Sequence, residues 1–275
     1  MKKAMLTAGM IALAALFLFP VLLTWVSSFM GANELNAIYN KGESLRLIPE
    51  WVTLDSYYEL IFANSKYLMM FWRSLLIALA TSLGSAVVSL VVGYLLGRIP
   101  FRGSRALHFL YTFIMMMPFQ VTLLPNYIMI RRMGLFDTYW ALILPGIFAP
   151  LGVFLVSQFM RDLPKEAIEA ASLETNSILR MAAHIIIPMS LPVLTAQFLL
   201  AFAEAWNMVE QPLIMLQDTQ KYPLSMALNS VSGAHILVVF AGAVLFILPV
   251  MLLCRAFEDT LVQGIGGAGI EVKKQ

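Results

Sequence analysis

Charge is scarce in this chain. Of 275 residues, 12% are Asp, Glu, Lys or Arg, against 60% that are alanine, aliphatic, aromatic, methionine or cysteine. A soluble domain carries about 25% charged and about 45–50% apolar residues, so too few charges remain to solvate a globular surface of this size. The bilayer is the expected solvent. Neither sign of charge dominates: 18 Lys and Arg stand against 16 Asp and Glu, a net charge of +2, which excludes the basic surplus that draws proteins to nucleic-acid phosphates. Cysteine is almost absent. Cys254 is alone, so an intrachain disulfide, a thiolate metal cage and a CxxC redox pair are excluded. His108, His184 and His235 lie in separate segments without ligand spacing. No Walker A sequence, Ser/His/Asp arrangement or facing carboxylate pair occurs, so neither an ATPase nor a hydrolase is written here. Gly264 to Gly269 matches G-x-G-x-x-G in spacing, yet it follows an apolar run and leaves no room for the helix that would cradle a dinucleotide. It reads as a tail.

What the chain has in quantity is long apolar runs. A hydrocarbon core about 30 Å thick needs roughly 20 helical residues at about 1.5 Å each. Six runs qualify: Leu6 to Met30, Ser74 to Gly97, Ala106 to Ile130, Tyr139 to Met160, Met189 to Val209 and Ile236 to Leu253. They are apolar all round, without the ten-residue alternation of a membrane barrel, and Glu204 is the one charged residue inside them. The fold class expected is therefore an all-α membrane protein with six transmembrane helices in a single domain. The first run, preceded by Lys2 and Lys3, exceeds the usual signal-peptide core of about 7 to 15 residues and reads as a retained span. With the N-terminus in the cytoplasm, the inner segments hold Lys2, Lys3, Arg98, Arg102, Arg105, Arg161, Lys165, Arg180, Arg255, Lys273 and Lys274, the larger share of the Lys and Arg. Both termini are then cytoplasmic, although Arg131 and Arg132 dissent from an outer loop.

Two connections are too long to be turns. The outer one, 31–71, contains Trp51, Asp55, Tyr57 and Tyr58 and should carry short structure at the membrane face. The inner one, 161–188, reads as helical. Pro164 suits a first helical turn and Glu166 complements the positive end of the dipole. Ala167, Ala170, Ala171 and Glu174 share one face at i, i+3, i+4, i+7, small enough for another backbone to approach. Thr175-Asn176-Ser177 then breaks the helix, and a second stretch runs to Ile185-Ile186-Ile187-Pro188, with Pro192 beyond. A plain surface linker would also fit this pattern. Glu204, inside the fifth run, is followed by Asn207 and Glu210 at i+3 and i+6, a polar stripe suited to hydroxyl-rich solutes. Gln120 and Asn126 lie beside Pro118 and Pro125, where kinks free carbonyls to line a cavity. Interhelical hydrogen bonding and simple packing are the competing explanations for both groups. The 18 methionines read as adaptable packing.

The stretch from Leu163 to Pro192 resembles the EAA loop of ABC-importer permeases, which reads L-P-x-E-L-x-E-A-A-x-I-D-G-A-S and then I-x-L-P in the sugar-importing branch. Glu169-Ala170-Ala171, Ser177 and Ile185 to Pro188 are in register with it. Trp51 to Tyr57 is similar to that family's W-x-x-x-x-x-Y, and Arg98 to Gly103 to its R-x-x-F-R-G. Pro118, Pro125, Gly134 to Thr138, Trp206-Asn207 and Pro212-Leu213 also sit where the family has them, closest to its MalG-like carbohydrate branch. Glu174-Thr175 stands where the motif has Asp-Gly, and Arg73-Ser74 where the family has Asn-Ser.

The resemblance implies a type I-like permease subunit in a bacterial inner membrane. It pairs with a second permease, two ATP-binding subunits and an external solute-binding protein, moves a sugar or oligosaccharide, and holds no cofactor or metal itself. The loop 161–188 becomes a coupling helix, with Glu166, Glu169, Ala170, Ala171, Glu174, Ser177 and Pro188 as ATPase-coupling residues. Gln120, Asn126, Glu204, Asn207 and Glu210 become candidates for the translocation path. Glycerol 3-phosphate or a related phosphodiester is the alternative cargo, and an ion-coupled carrier using Glu204 the alternative mechanism.

Overall fold

The structure, a computed structural model, describes residues 2–39, 41–42, 44, 46–63, 65–164, 177–229, 236–258 and 260. Among these, regular structure is entirely helical. The chain divides into two compact units, Met1–Arg73 with Pro223–Met251 and Ser74–Tyr222 with Leu252–Gln275.

In the first unit α1 (Lys2–Ser27) is exposed at every position from 5 to 22, as befits an apolar helix with lipid for solvent. Its far end is fixed by polar contacts. Ser27 and Ser28 are buried, the Ser28 hydroxyl lies 2.8 Å from the Tyr57 hydroxyl, and the Thr53 N–H donates to the Phe29 carbonyl at 2.9 Å. Helix α2 (Ala32–Tyr39) tucks Leu35 and Ile38 against Met30. Helix α3 (Asp55–Tyr58) passes into a π turn (Glu59–Ala63), and its Leu60 packs on Val238 and Ala241.

The second unit is organised by the stretch of α4 (Ser65–Arg98) from Ser74 onward. From Thr81 onward, every fourth residue is small: Thr81, Ser85, Ser89, Gly93, Gly97. A four-residue spacing forms one ridge of a helix, and the segment of α7 (Trp140–Ile147) and α8 (Pro150–Asp162) lies against it in parallel, residues 146, 152 and 156 meeting 81, 89 and 93 in turn. A Cβ on Gly146 would strike the Thr81 methyl, and one on Gly152 would strike the Ser89 hydroxyl. A Cβ on Gly93 would come within 2.7 Å of Val156 Cγ1, and one on Gly97 within 2.7 Å of the Ser157 carbonyl oxygen. Close approach of this kind substitutes for the hydrophobic drive that lipid removes, since packing and interhelical hydrogen bonds must hold the helices together. Gln197 supplies one such bond, its amide donating to Ser85 Oγ at 2.8 Å. Ser82 and Ser157 return their hydroxyls to their own helices, at the Leu79 and Phe154 carbonyls, which lets serine sit in an apolar setting.

Helices of crossing length cover Met5–Ser27, Lys66–Arg98, Trp140–Asp162, Ala182–Trp206 and Val238–Ala256. The run expected to form the third span, 106–130, consists of two helices, α5 (Ser104–Met115) and α6 (Phe119–Arg132), bent by 106° at the break between them. Pro118 explains the break. It has no N–H to continue a helix and disfavours helical backbone at the residue before it. Pro125, inside α6, leaves that helix unbroken. The fifth run also differs. A four-residue helix α9 (Ile178–Met181), a π turn (Ala182–Ile186) and α10 (Ile187–Trp206) follow one another without a gap, so the helical stretch after Ser177 and the span beyond it are continuous. The widened turn ends two residues before Pro188, where a proline must otherwise disrupt the hydrogen-bond ladder.

Gly97→Ala should lower the thermal unfolding midpoint of the detergent-solubilised protein, because overpacking against a backbone oxygen costs about 1–3 kcal/mol and outweighs the better helix propensity of alanine. Gly9→Ala, with nothing within 4 Å, should not. Equal midpoints for the two variants would show that the ridge is not tight.

Candidate functional site

Two places in the second unit concern function. The first is the stem of the inner loop. Residues 165–176, with Glu166, Glu169, Ala170, Ala171 and Glu174, lie outside the described residues. Both roots are described. Val156, Met160, Ile186 and Val193 form a buried cluster, with Leu163, Met181 and Ala182 packed on it, so the chain leaves and re-enters the loop from one apolar base. Arg98, the last residue of α4, donates to the Leu163 carbonyl. Ser177 occupies the position before α9, and its hydroxyl accepts the Arg180 N–H at 3.4 Å, as an N-cap serine does. The loop is thus tied to α4, α8 and α10 at its base.

The second place is where two helices break. Helix α10 ends at Trp206, and α11 (Glu210–Met215) starts after a three-residue gap. Glu204, Asn207 and Glu210 therefore do not share one continuous helix. Glu204 is exposed in the last turn of α10, Asn207 is exposed just beyond it, and Glu210 is exposed at the first position of α11. Asn207 turns its amide back to the Ala203 carbonyl at 2.8 Å, closing the helix end. Across the gap, the exposed Gln120 at the start of α6 points its amide nitrogen at both carboxylate oxygens of Glu210, each at 3.4 Å. The break at Pro118 and the break at Asn207 are thereby brought together by side chains 90 residues apart. Asn126 is half-buried farther along α6. Gln211, which spacing did not single out, is buried and donates to the Ala141 and Leu142 carbonyls at 3.2 and 3.3 Å, holding α11 on α7.

A further group escaped the sequence reading. Asp137 has a left-handed backbone (φ 58°), which Asp tolerates better than most residues. Its Oδ1 accepts the Gln217 and Asp218 N–H groups at 3.0 and 3.2 Å. Lys221 Nζ donates to its Oδ2 and its carbonyl, each at 2.8 Å. The connection after α6 is so latched to the connection after α11. Arg131 lies over the rings of Tyr127 and Phe136, 5.4 and 4.9 Å from their centres, so one of the two cations that dissented from the charge asymmetry has a structural post. The Lys221 bond, then the Asp218 and Gln217 amides, hold the Asp137 carboxyl below its ordinary value, and the Asp137 bond holds the Lys221 ammonium above its own.

Residues 89–266, well over half of the chain, match the family described as "Binding-protein-dependent transport system inner membrane component". The chain belongs to this family. It is accordingly a multi-pass inner-membrane permease subunit of a binding-protein-dependent ABC importer, one component of a larger transport complex, and ATP hydrolysis is not its task. Its relatives include the arabinooligosaccharides transport system permease protein AraQ of Halalkalibacterium halodurans, 29% identical over 97% of this chain and 96% of the relative. AraQ of Bacillus subtilis is 28% identical over 97% and 95%, and the sn-glycerol-3-phosphate permease protein UgpE of Brucella abortus 24% over 90% of each. A crystal structure of a bacterial ABC transporter involved in import of the acidic polysaccharide alginate contains a chain with the same fold, at a TM-score of 0.80 and 20% identity, over 94% of this chain and 96% of that one.

The latch has a signed pH dependence. A carboxylate held low contributes stability above its unfolded pKa and loses it as pH falls through the lower folded value, whereas an ammonium held high contributes below its unfolded pKa and loses it as pH rises through the higher folded value. Wild type should therefore melt above Asp137→Asn between roughly pH 5 and pH 9, and the gap should close on acidification below about pH 4. A gap that does not change over the acid range would contradict the latch.

Proposed function

We propose that this permease imports an oligosaccharide or related neutral sugar, as one of two permeases working with two ATP-binding subunits and an extracytoplasmic solute-binding protein. The observation that carries the cargo is the join of the two helix breaks. Gln120, Asn207 and Glu210 offer amides and a carboxylate, the groups that exchange hydrogen bonds with sugar hydroxyls, and no Lys or Arg stands among them. A phosphate would meet repulsion from Glu210 and Glu204, which weighs against glycerol 3-phosphate even though relatives of that name exist. The arabinooligosaccharide relatives, matched over nearly their whole length, support the same reading.

The chain crosses the membrane six times in this account, the third crossing being the bent pair α5–α6. At about 1.5 Å per residue each half is too short to span about 30 Å alone. Both termini and the loop 161–188 then face the cytoplasm, in keeping with the Lys and Arg asymmetry. The alanine face of that loop, centred on Ala170 and Ala171, docks on an ATP-binding subunit, while Glu166, Glu169 and Glu174 pair with cations there. Closure of the ATPases pulls on Ser177 and Pro188, and through the packed stem on α4, α8 and α10.

Uptake and subunit co-purification, measured together, test both halves of this account. Gln120→Ala, Asn207→Ala and Glu210→Gln should each lower uptake roughly twofold to tenfold, the worth of one hydrogen bond of about 0.5–1.5 kcal/mol, with ATPase co-purification intact. Ala170→Asp should do the reverse first, releasing the ATPase. Normal uptake in all three path variants, or undisturbed assembly and transport in Ala170→Asp, would refute the corresponding half.

A further inference from the structure

The outer connection of the first unit presents an apolar surface that nothing in the transport path uses. In α3 and its π turn, Ser56 and Leu60 are buried, and two stripes remain in the open. Leu54, Tyr58 and Phe62 recur every fourth residue, with the Tyr58 and Phe62 rings 5.6 Å apart. Asp55 and Glu59 form a second, acidic stripe one position on. Phe62 is 73% exposed, Tyr58 66%, and Trp51 just before the helix 78%. Aromatic residues this exposed beside carboxylates suit neither water alone nor hydrocarbon alone.

Where the segment sits decides between solvents. Thr53 and Tyr57 are bonded to Phe29 and Ser28, just past the end of the apolar helix Met5–Ser27. At its other end the π turn lies one residue from α4, where the apolar helix Lys66–Arg98 begins. Both ends are therefore tied to the ends of apolar helices long enough to cross a bilayer. Rings with a polar edge gather at the membrane–water boundary, and a helix with one apolar and one charged stripe lies in the plane of the boundary.

We propose that residues 51–62 are an interfacial lipid anchor. The Trp51, Tyr58 and Phe62 rings enter the headgroup and upper acyl region, while Asp55 and Glu59 face water and headgroup ammonium groups. This holds the first unit at a fixed depth and depends on no assumption about the cargo.

The assembled transporter, in vesicles of phosphatidylethanolamine and phosphatidylglycerol, tests the assignment. In a Cys254→Ser background, nitroxide labels on Tyr58→Cys and Phe62→Cys should collide several-fold more with oxygen relative to a hydrophilic nickel chelate than labels on Asp55→Cys and Glu59→Cys. Labels at Tyr58 and Phe62 that favour the nickel chelate would mean an aqueous surface. Labels shielded from both reagents would mean that another subunit covers it. Either overturns the anchor. The chain without introduced cysteines gives an independent reading: the emission lost in Trp51→Phe should be emission that brominated lipid quenches, and an unquenched Trp51 also overturns it.

Discussion

The ridge of small residues on α4 is the constraint on which the second unit depends. Inside a bilayer, helices gain nothing by hiding apolar side chains from one another, since lipid is as apolar as leucine. They adhere when their backbones come close enough for dense packing. Thr81, Ser85, Ser89, Gly93 and Gly97 make that approach possible along about four and a half turns, and Gly146 and Gly152 answer from the facing segment. The contact fixes α8, and α8 fixes Met160 and Leu163, the base from which the inner loop leaves. Gln197 ties α10 to the same ridge, so the segment re-entering from the loop is referred to the same axis. A pull on the loop thus acts on a packed triad of helices, not on a slack connection.

The second constraint is that interrupted helices cannot face lipid. Where α5 gives way to α6, and α10 to α11, backbone groups lose helical partners and polar side chains come to the surface. Hydrocarbon would charge several kcal/mol for each unsatisfied group. The structure answers partly from within, through Asn207 on the Ala203 carbonyl and Gln211 on the carbonyls of α7. The remaining polar groups, Gln120, Glu210 and Glu204, stay exposed and require water, solute or a partner subunit opposite them. The same breaks that weaken the helices concentrate hydrogen-bonding capacity at one place.

Much of this was legible in the residues. Sorting charge out of the apolar runs located the long helices, Ser177 announced a helix start, and Pro118 announced a discontinuity. The size of that discontinuity was not legible, because a proline at a helix end and one inside a helix, such as Pro125, look alike until neighbours decide which bends. The ridge on α4 was written openly in four-residue spacing, but a search for polar chemistry passes over serine and glycine as packing residues. Long-range pairs were beyond reach for a different reason. Gln120 with Glu210, and Asp137 with Lys221, join segments whose proximity arises only from the fold, and spacing along one helix misassigned Glu204, Asn207 and Glu210 to a single face. The left-handed Asp137 left one trace, a Gly-Leu-Phe-Asp-Thr turn between apolar runs.

The claim that matters most is that the joined breaks face a water-filled path. Single cysteines at Gln120 and Asn207, in the Cys254→Ser background, can be challenged in the assembled, membrane-embedded transporter with a charged, hydrophilic thiol reagent, with Leu13→Cys on α1 as a lipid-facing reference. The account predicts that both path positions react readily while the reference does not. Path positions as inert as Leu13 would contradict it.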